Sequence, residues 1–330
     1  MPTILTKQGL PRPANDLWRS YVEEWDRSLR ADNKPHTTRY NYELAATQFA
    51  DFLGGEELPQ FLAETGMDDT DDSDADEDPA DVERKHVEWF IAWMIHTRSS
   101  ASALNKYKAL QQFFNYLLEA EEIDRHPMAK LSQPTTTDKV IPVVDDDQLA
   151  SLLDTCKGKS FRDRRDAALI RLFLDTGARL AEIANLATDD LDLSRDGILV
   201  RGKGDRMRFI PFGERTGQAL SRYLRARARL KGAADNPYLF LTSRGGKQLK
   251  PNGIKIMLRR RGNLAGIPHM HAHRLRHTLS HNWQLAQGNE SDLMAIMGWT
   301  SPEMLRRYGK SAAAERAQHT HRTLSLGNRV

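Results

Sequence analysis

Six side chains in the second half of the chain stand near turns rather than along helix faces. Arg179 follows Thr176-Gly177, Lys203 sits in "RGKGDRMR", His273 and Arg276 share "HAHRLRHT", and Trp299 and Tyr308 close "MGWTSPEMLRRYGK". Together they are a kit for phosphoryl transfer. Two guanidiniums grip non-bridging oxygens bidentately and stabilise charge building on phosphorus. A neutral phenol is a poor nucleophile, but nearby cations favour its ionised form and a histidine takes its proton. A lysine can protonate the leaving alkoxide, and an indole N–H can donate to phosphate without titrating. No carboxylate cluster of the two-metal kind accompanies them, so the guanidiniums would carry the charge and no metal or cofactor is expected. Three of them also have a plainer reading. Tyr308 could be a packed aromatic at a helix end, Arg179 an ion-pair partner of Glu182, and Lys203 an ordinary turn lysine. His273, His277 and His281 share a helical face and could suggest a metal. However, there is no HExxH, and the intervening arginines would repel a cation. His277 reads as a satisfied core histidine.

The elements around these residues change character along the chain. "NDLWRSYVEEWDRSLRA" spaces Leu17, Tyr21, Trp25 and Leu29 four apart behind a cap at Asn15 or Asp16, and "HTTRYNYELAATQFADFLGG" repeats the pattern. After an acidic run, helical spacing resumes in "DVERKHVEWFIAWMIHTR" and "SALNKYKALQQFFNYLLEAEEI". The expectation is a first domain of about four helices over 15–130, and Arg39, Lys106 and Lys108 are its candidate phosphate contacts. A Pro- and Thr-rich linker, 131–144, leads to a second domain over 145–330. There "GILVRGKGDRMRFIPF" switches to a strand–turn–strand pattern around GKGD, with Arg206 and Arg208 as further candidate phosphate contacts. Helices are expected over 213–231, 251–265, 271–286, 289–298 and 302–308, with a separate tail helix over 311–325. The fold class is mainly α with a small antiparallel β-sheet.

Charge is divided unequally. Residues 145–330 carry 33 Lys+Arg against 19 Asp+Glu, whereas residues 1–144 carry 15 against 26, within a net +3. Ten of those acids fall in "ETGMDDTDDSDADEDPAD" (64–81), which contains no base, lacks the glycine and terminal glutamate of a calcium loop, and reads as a disordered insertion. A basic second half points to a polyanionic partner. One cysteine, Cys156, excludes an internal disulfide framework and suits a reducing compartment. The longest apolar run, "WFIAWMI", is far short of the ~20 residues that cross a bilayer, and the N-terminus shows no signal-peptide pattern, so a cytoplasmic protein without membrane contact is expected.

The ordered segments "TGARLAEIANL", "RGKGDRMRFIP", "HRLRHT" and "MGWTSPEMLRRY" resemble the signature of tyrosine recombinases, the phage-type integrases. The resemblance is strong over about 145–315. Over 15–130 it implies a helical, SAM-like core-binding domain in front of an α+β catalytic domain. It implies Arg179, Lys203, His273, Arg276, Trp299 and Tyr308 as the catalytic set, with Glu182 supporting Arg179. Many members carry histidine where this chain has Trp299. The implied activity is site-specific DNA cutting and rejoining through a 3′-phosphotyrosyl bond without ATP or metal. The two domains would embrace duplex DNA as a homotetramer on paired sites, with an accessory DNA-bending protein as an optional partner. The alternatives are a non-catalytic DNA-binding regulator and a type IB topoisomerase.

Overall fold

The computed structural model describes residues 4–6, 8–67, 74–136, 142–202, 206–325 and 327. It divides into two compact units, Met1–Asp138 and Lys139–Val330.

The first unit opens with a two-stranded hairpin, β1 (Ile4–Leu5) and β2 (Pro11–Arg12), followed by five α-helices: α1 (Asp16–Ala31), α2 (His36–Leu53), α3 (Glu57–Thr65), α4 (Arg84–Thr97) and α5 (Ser100–Glu119). Asn15 caps α1 by accepting from the Leu17 and Trp18 amides at 2.8 and 3.0 Å. The core is aromatic: Trp18 meets Phe49 edge-on and stacks on Phe113, while Phe49 tilts against Phe90. Two expectations change here. The short α3 went unread because only Leu58, Phe61 and Leu62 carry its apolar face. The acidic run is also not without structure. Ala75 and Pro79 are buried, Asp78 caps a single 3₁₀ turn over Pro79–Asp81, and Trp18 Nε1 donates to the Ala75 carbonyl at 3.2 Å. Scattered small apolar residues thus anchor the end of the run; residues 68–73 lie outside the described residues.

The second unit comprises α6 (Asp146–Asp154), α7 (Phe161–Thr176), α8 (Leu180–Ala184), β3 (Leu191–Asp192), β4 (Gly197–Arg201), β5 (Met207–Pro211), α9 (Glu214–Arg227), α10 (Pro251–Leu264), α11 (Ala272–Leu285), α12 (Glu290–Met297) and α13 (Pro302–Leu324). The strands form one antiparallel sheet in the order β3–β4–β5, with Leu199 opposite Phe209. The core gathers around α7, where Leu169, Ile170, Leu172 and Phe173 are fully buried, and α7 packs against both α9 and α11. Tyr223 of α9 stacks on Phe240 and donates to the Leu239 carbonyl at 2.9 Å. The expected break between 308 and 311 does not occur. Gly309 alone does not stop a helix, and "KSAAAERA" has strong helix propensity, so one helix carries both Tyr308 and the tail.

Candidate active site

Tight local structure delivers each site residue. Gly177 ends α7 in the left-handed conformation (φ 55°), and a Cβ there would lie 2.8 Å from Met297 Sδ. The chain therefore turns sharply and presents Arg179 at the head of α8. His273 and Arg276 lie one turn apart on α11. Ser301 caps α13 by accepting from the Glu303 amide at 3.2 Å, with Pro302 in the first turn, and this helix carries Tyr308.

The structure brings five of the six expected residues to one cleft of about 650 Å³, lined by Arg179, His273, Arg276, Trp299 and Tyr308. Lys203 lies outside the described residues; its hairpin is closed at the base by the Gly202 amide donating to the Arg206 carbonyl at 2.8 Å. Tyr308 is only 4% exposed. Its ring stacks on His277 at 4.0 Å and tilts against Trp299 at 4.6 Å. Its hydroxyl lies 3.3 and 3.2 Å from His273 Nδ1 and Nε2. An oxygen nearly equidistant from both nitrogens is off the lone-pair axis of each, so the contact is long and unaligned, as apo catalytic hydrogen bonds often are. Trp299 Nε1 is buried without a hydrogen-bond partner, while its ring faces the Arg276 guanidinium at 5.5 Å. An orphaned donor of this kind costs about 1–3 kcal/mol, which an incoming phosphate oxygen would relieve.

The guanidiniums are gathered by a device the motifs did not reveal. Three consecutive carbonyls at the C-terminal end of α12 each receive one arginine. Arg208 Nε donates to Ile296 at 3.0 Å, Arg276 Nη2 to Met297 at 2.6 Å and Arg179 Nη2 to Gly298 at 3.2 Å. Helix C-termini expose unpaired carbonyls and a negative dipole end, so they can hold together cations that would otherwise repel. Arg276 also donates to the Gly177 carbonyl, tying the turn before Arg179 to the loop carrying Trp299. Burial, reinforced by the charge of Arg179, pushes Arg276 down to about 10, which still leaves it cationic at neutral pH.

Glu182 anchors this cluster. Its side chain is 6% exposed and accepts a fork from Arg208 at 3.0 and 2.8 Å, the Arg179 Nη1 at 3.0 Å and the Arg179 amide at 2.7 Å. Burial alone would raise its pKa, but the Arg208 fork and the Arg179 bonds outweigh it and hold the carboxyl below its usual range. Arg208 is therefore an internal strut rather than the free phosphate contact expected from the hairpin pattern.

The other candidate contacts divide similarly. Arg39 is engaged by Asp26 at 2.6 Å and only 11% exposed, so it too is internal. Arg206 and Lys108 are exposed. Lys106 is half-buried on α5, and burial pushes it down to about 8. Sequence reasoning missed Asn252, Lys255 and Arg259, which α10 presents to the cleft while Ile254, Met257 and Leu258 of the same helix enter the core. The signal was available, since 252, 255 and 259 share one face of an amphipathic helix. Among the described residues, no group of three His, Cys, Asp or Glu is placed to hold a metal, and no helix is long and apolar enough to cross a membrane.

Comparison with known proteins agrees with this geometry. Residues 142–315 match the phage integrase family, and residues 21–124 match the phage integrase N-terminal SAM-like domain. The chain is 33% identical over 201 residues to tyrosine recombinase XerC of Pseudomonas aeruginosa (strain LESB58), covering 61% of this chain and 65% of that protein. Against tyrosine recombinase XerC of Oceanobacillus iheyensis it is 31% identical over 267 residues, covering 79% and 81%. Its fold is similar to that of the XerH site-specific recombinase bound to palindromic difH substrate, with a TM-score of 0.67, 18% identity, and coverage of 93% of this chain and 85% of that one. The match spans all six candidate residues and most of the helices before them, and the chain belongs to the phage integrase family.

Proposed function

We propose that the chain is a site-specific DNA recombinase that cuts and rejoins strands through a covalent 3′-phosphotyrosyl intermediate. The observation that carries this reading is the Tyr308 hydroxyl 3.2 Å from His273 Nε2, in the same cleft as Arg276 and Arg179. Arg179 and Arg276 grip the scissile phosphate, and Trp299 Nε1 adds a donor to it. The phenol oxygen attacks phosphorus in line and its proton passes to His273. The P–O5′ bond breaks as the Tyr308–phosphate bond forms, and the 5′-alkoxide takes a proton, a role assigned to Lys203. The phosphoester energy is kept in the new link, so a different 5′-hydroxyl can reverse the steps without ATP. DNA duplex is the substrate, and exchange between two sites calls for four copies of the chain.

Nicked suicide duplexes from the DNA flanking the gene test this directly. Wild type is expected to give a denaturation-resistant protein–DNA band and Tyr308→Phe none. Adducts that persist with Tyr308→Phe would refute the assignment. Relaxation of arbitrary supercoiled DNA by catalytic amounts of protein would favour a topoisomerase instead.

A further inference from the structure

A second concentration of positive charge lies away from the cleft. On α7, Arg164 and Arg171 stand seven residues apart, and on α9 so do Arg215 and Arg222. Seven residues are two turns, so each pair shares a face about 10.5 Å apart along its helix. The two helices pack together, and a concavity of about 370 Å³ is lined by Arg164, Arg171 and Arg222 with Lys157 and Lys159 of the loop after α6. Arg171 is half-buried, and its pKa is lowered by burial and then by the charges of Arg215 and Arg222, with Asp175 opposing. The two rows therefore face each other closely enough to repel.

Nearby acids do not pair with them: Asp196 and Glu214 share a second concavity with Arg222, and Glu214 accepts from Gln218 at 2.9 Å. Asp163 is held by Ser160 and Arg261, Asp154 by Lys157, and Asp175 also accepts the Gly213 amide at 2.8 Å. Among the described residues, Arg164, Arg171, Arg215 and Arg222 have no carboxylate within ion-pair distance. Like charges held together without partners destabilise the free protein and favour a bound polyanion. The face is separate from the cleavage cleft, which no residue of α7 or α9 lines.

The chemistry of the face selects the partner. Protein interfaces are anchored by buried aromatic and apolar groups. Neither α7 nor α9 supplies any of the exposed large hydrophobic residues. Arginine forks match phosphate oxygens, and a duplex offers about one negative charge per 1.7 Å of axis. We propose that the α7–α9 face is a second DNA-phosphate site, which holds duplex outside the segment being cleaved. This rests on the recombinase reading, in which the duplex carrying the cleavage site runs on beyond the cleaved segment.

The test titrates the full-length chain with a labelled 20-base-pair random duplex at low salt, well above the dissociation constant. Wild type is expected to bind two duplexes per chain and Arg215→Glu/Arg222→Glu one, the second affinity falling at least about tenfold. Both substituted residues are exposed, and Arg164→Gln/Arg222→Gln is a milder companion. Covalent adducts on the nicked suicide duplex should stay within about twofold of wild type, because phosphate contacts remote from the scissile bond position DNA rather than act in chemistry. Saturation of wild type at one duplex, or a variant that still binds two, would overturn the second site. So would a variant that loses binding only to a polyglutamate peptide, which would point to an acidic protein. Absence of adducts with wild type would instead count against the cleavage reading, whatever the stoichiometry.

Discussion

The first unit and the cleft of the second both bury arginines, but they balance them differently. In the first unit, Arg12, Arg30 and Arg39 converge on three carboxyl groups, Glu23, Asp26 and Glu43, so each guanidinium faces an acid. In the cleft, among the described residues, Arg179 and Arg208 share the carboxylate of Glu182, whose charge Arg276 feels only at a distance while it donates to two carbonyls and lies by the indole of Trp299 and the phenol of Tyr308. The first cluster matches every guanidinium with a carboxyl group and ties β2 to α1 and α2. The second keeps surplus positive charge, held by the carbonyls at a helix end together with one acid, Glu182, and that surplus is what a phosphate would neutralise. The number of carboxylates facing the arginines, more than the number of arginines, separates a self-matched cluster from one left to meet an anion.

The largest expected effect lies at Arg276. Arg276→Lys keeps the charge but loses the fork, and single-turnover cleavage should fall about 10²–10³-fold, the usual loss for one transition-state donor. Duplex affinity should change far less; an equal loss of both would mean that Arg276 only binds.

Next comes the Arg208 strut. Arg208→Lys leaves Glu182 with one strong partner and frees it to draw Arg179 inward, so cleavage should slow by about 10–10²-fold, between the loss of one good contact and that of a catalytic donor. Because the carboxyl is held below its usual range largely by Arg208, the variant should also lose activity at a higher pH than wild type does as the solution is acidified. An unchanged pH profile would make Arg208 merely structural.

A smaller effect tests the first cluster. Burial and the neighbouring Asp26 push Glu43 up to about 7, against the pull of Arg12. The native chain therefore holds a proton that the unfolded chain has already released, and stability falls as pH rises from about 4.5 to 7. Hydrogen exchange of α1 and α2 amides should show a loss on the order of 1–2 kcal/mol between pH 5.5 and 7.5, and Glu43→Gln should flatten that dependence. Asp26 acts oppositely: although burial raises it, Arg39, Glu43 and Arg30 outweigh that and lower it, so its contribution is lost only at more acid pH.

The smallest effect concerns Lys106, half-buried and pushed down to about 8. If its ammonium meets a phosphate, Lys106→Met should lower the slope of log affinity against log salt by about one and leave the unbound fold as stable or slightly more so. An unchanged slope removes it from the interface.

Much of this was legible in the sequence. That Arg179, His273, Arg276, Trp299 and Tyr308 share one cleft could be anticipated because their spacing around turns shows in linear order, and α1, α2, α4 and α5 because their apolar spacing is long and regular. Arg208 and Arg39 were misread because an arginine in an exposed pattern looks alike whether or not an acid distant in sequence awaits it. Asp26 lies 13 residues from Arg39, and Glu182 lies 26 from Arg208. The three carbonyls at the end of α12 were invisible for a related reason: backbone acceptors leave no trace in residue type. The long α13 shows the opposite failure, since two helices, 302–308 and 311–325, were expected where one runs through, carried by the alanines after Gly309.

The central claim is that Tyr308 is the covalent nucleophile, and the most direct measurement is peptide mapping of the wild-type adduct. The protein–DNA band from a nicked suicide duplex would be digested with protease and nuclease and the nucleotide-bearing peptide identified by mass. The account predicts a single modified peptide, "YGK" or one containing it, with Tyr308 joined to a 3′-phosphate. A nucleotide on any other side chain, or a link through a 5′-phosphate, would contradict it.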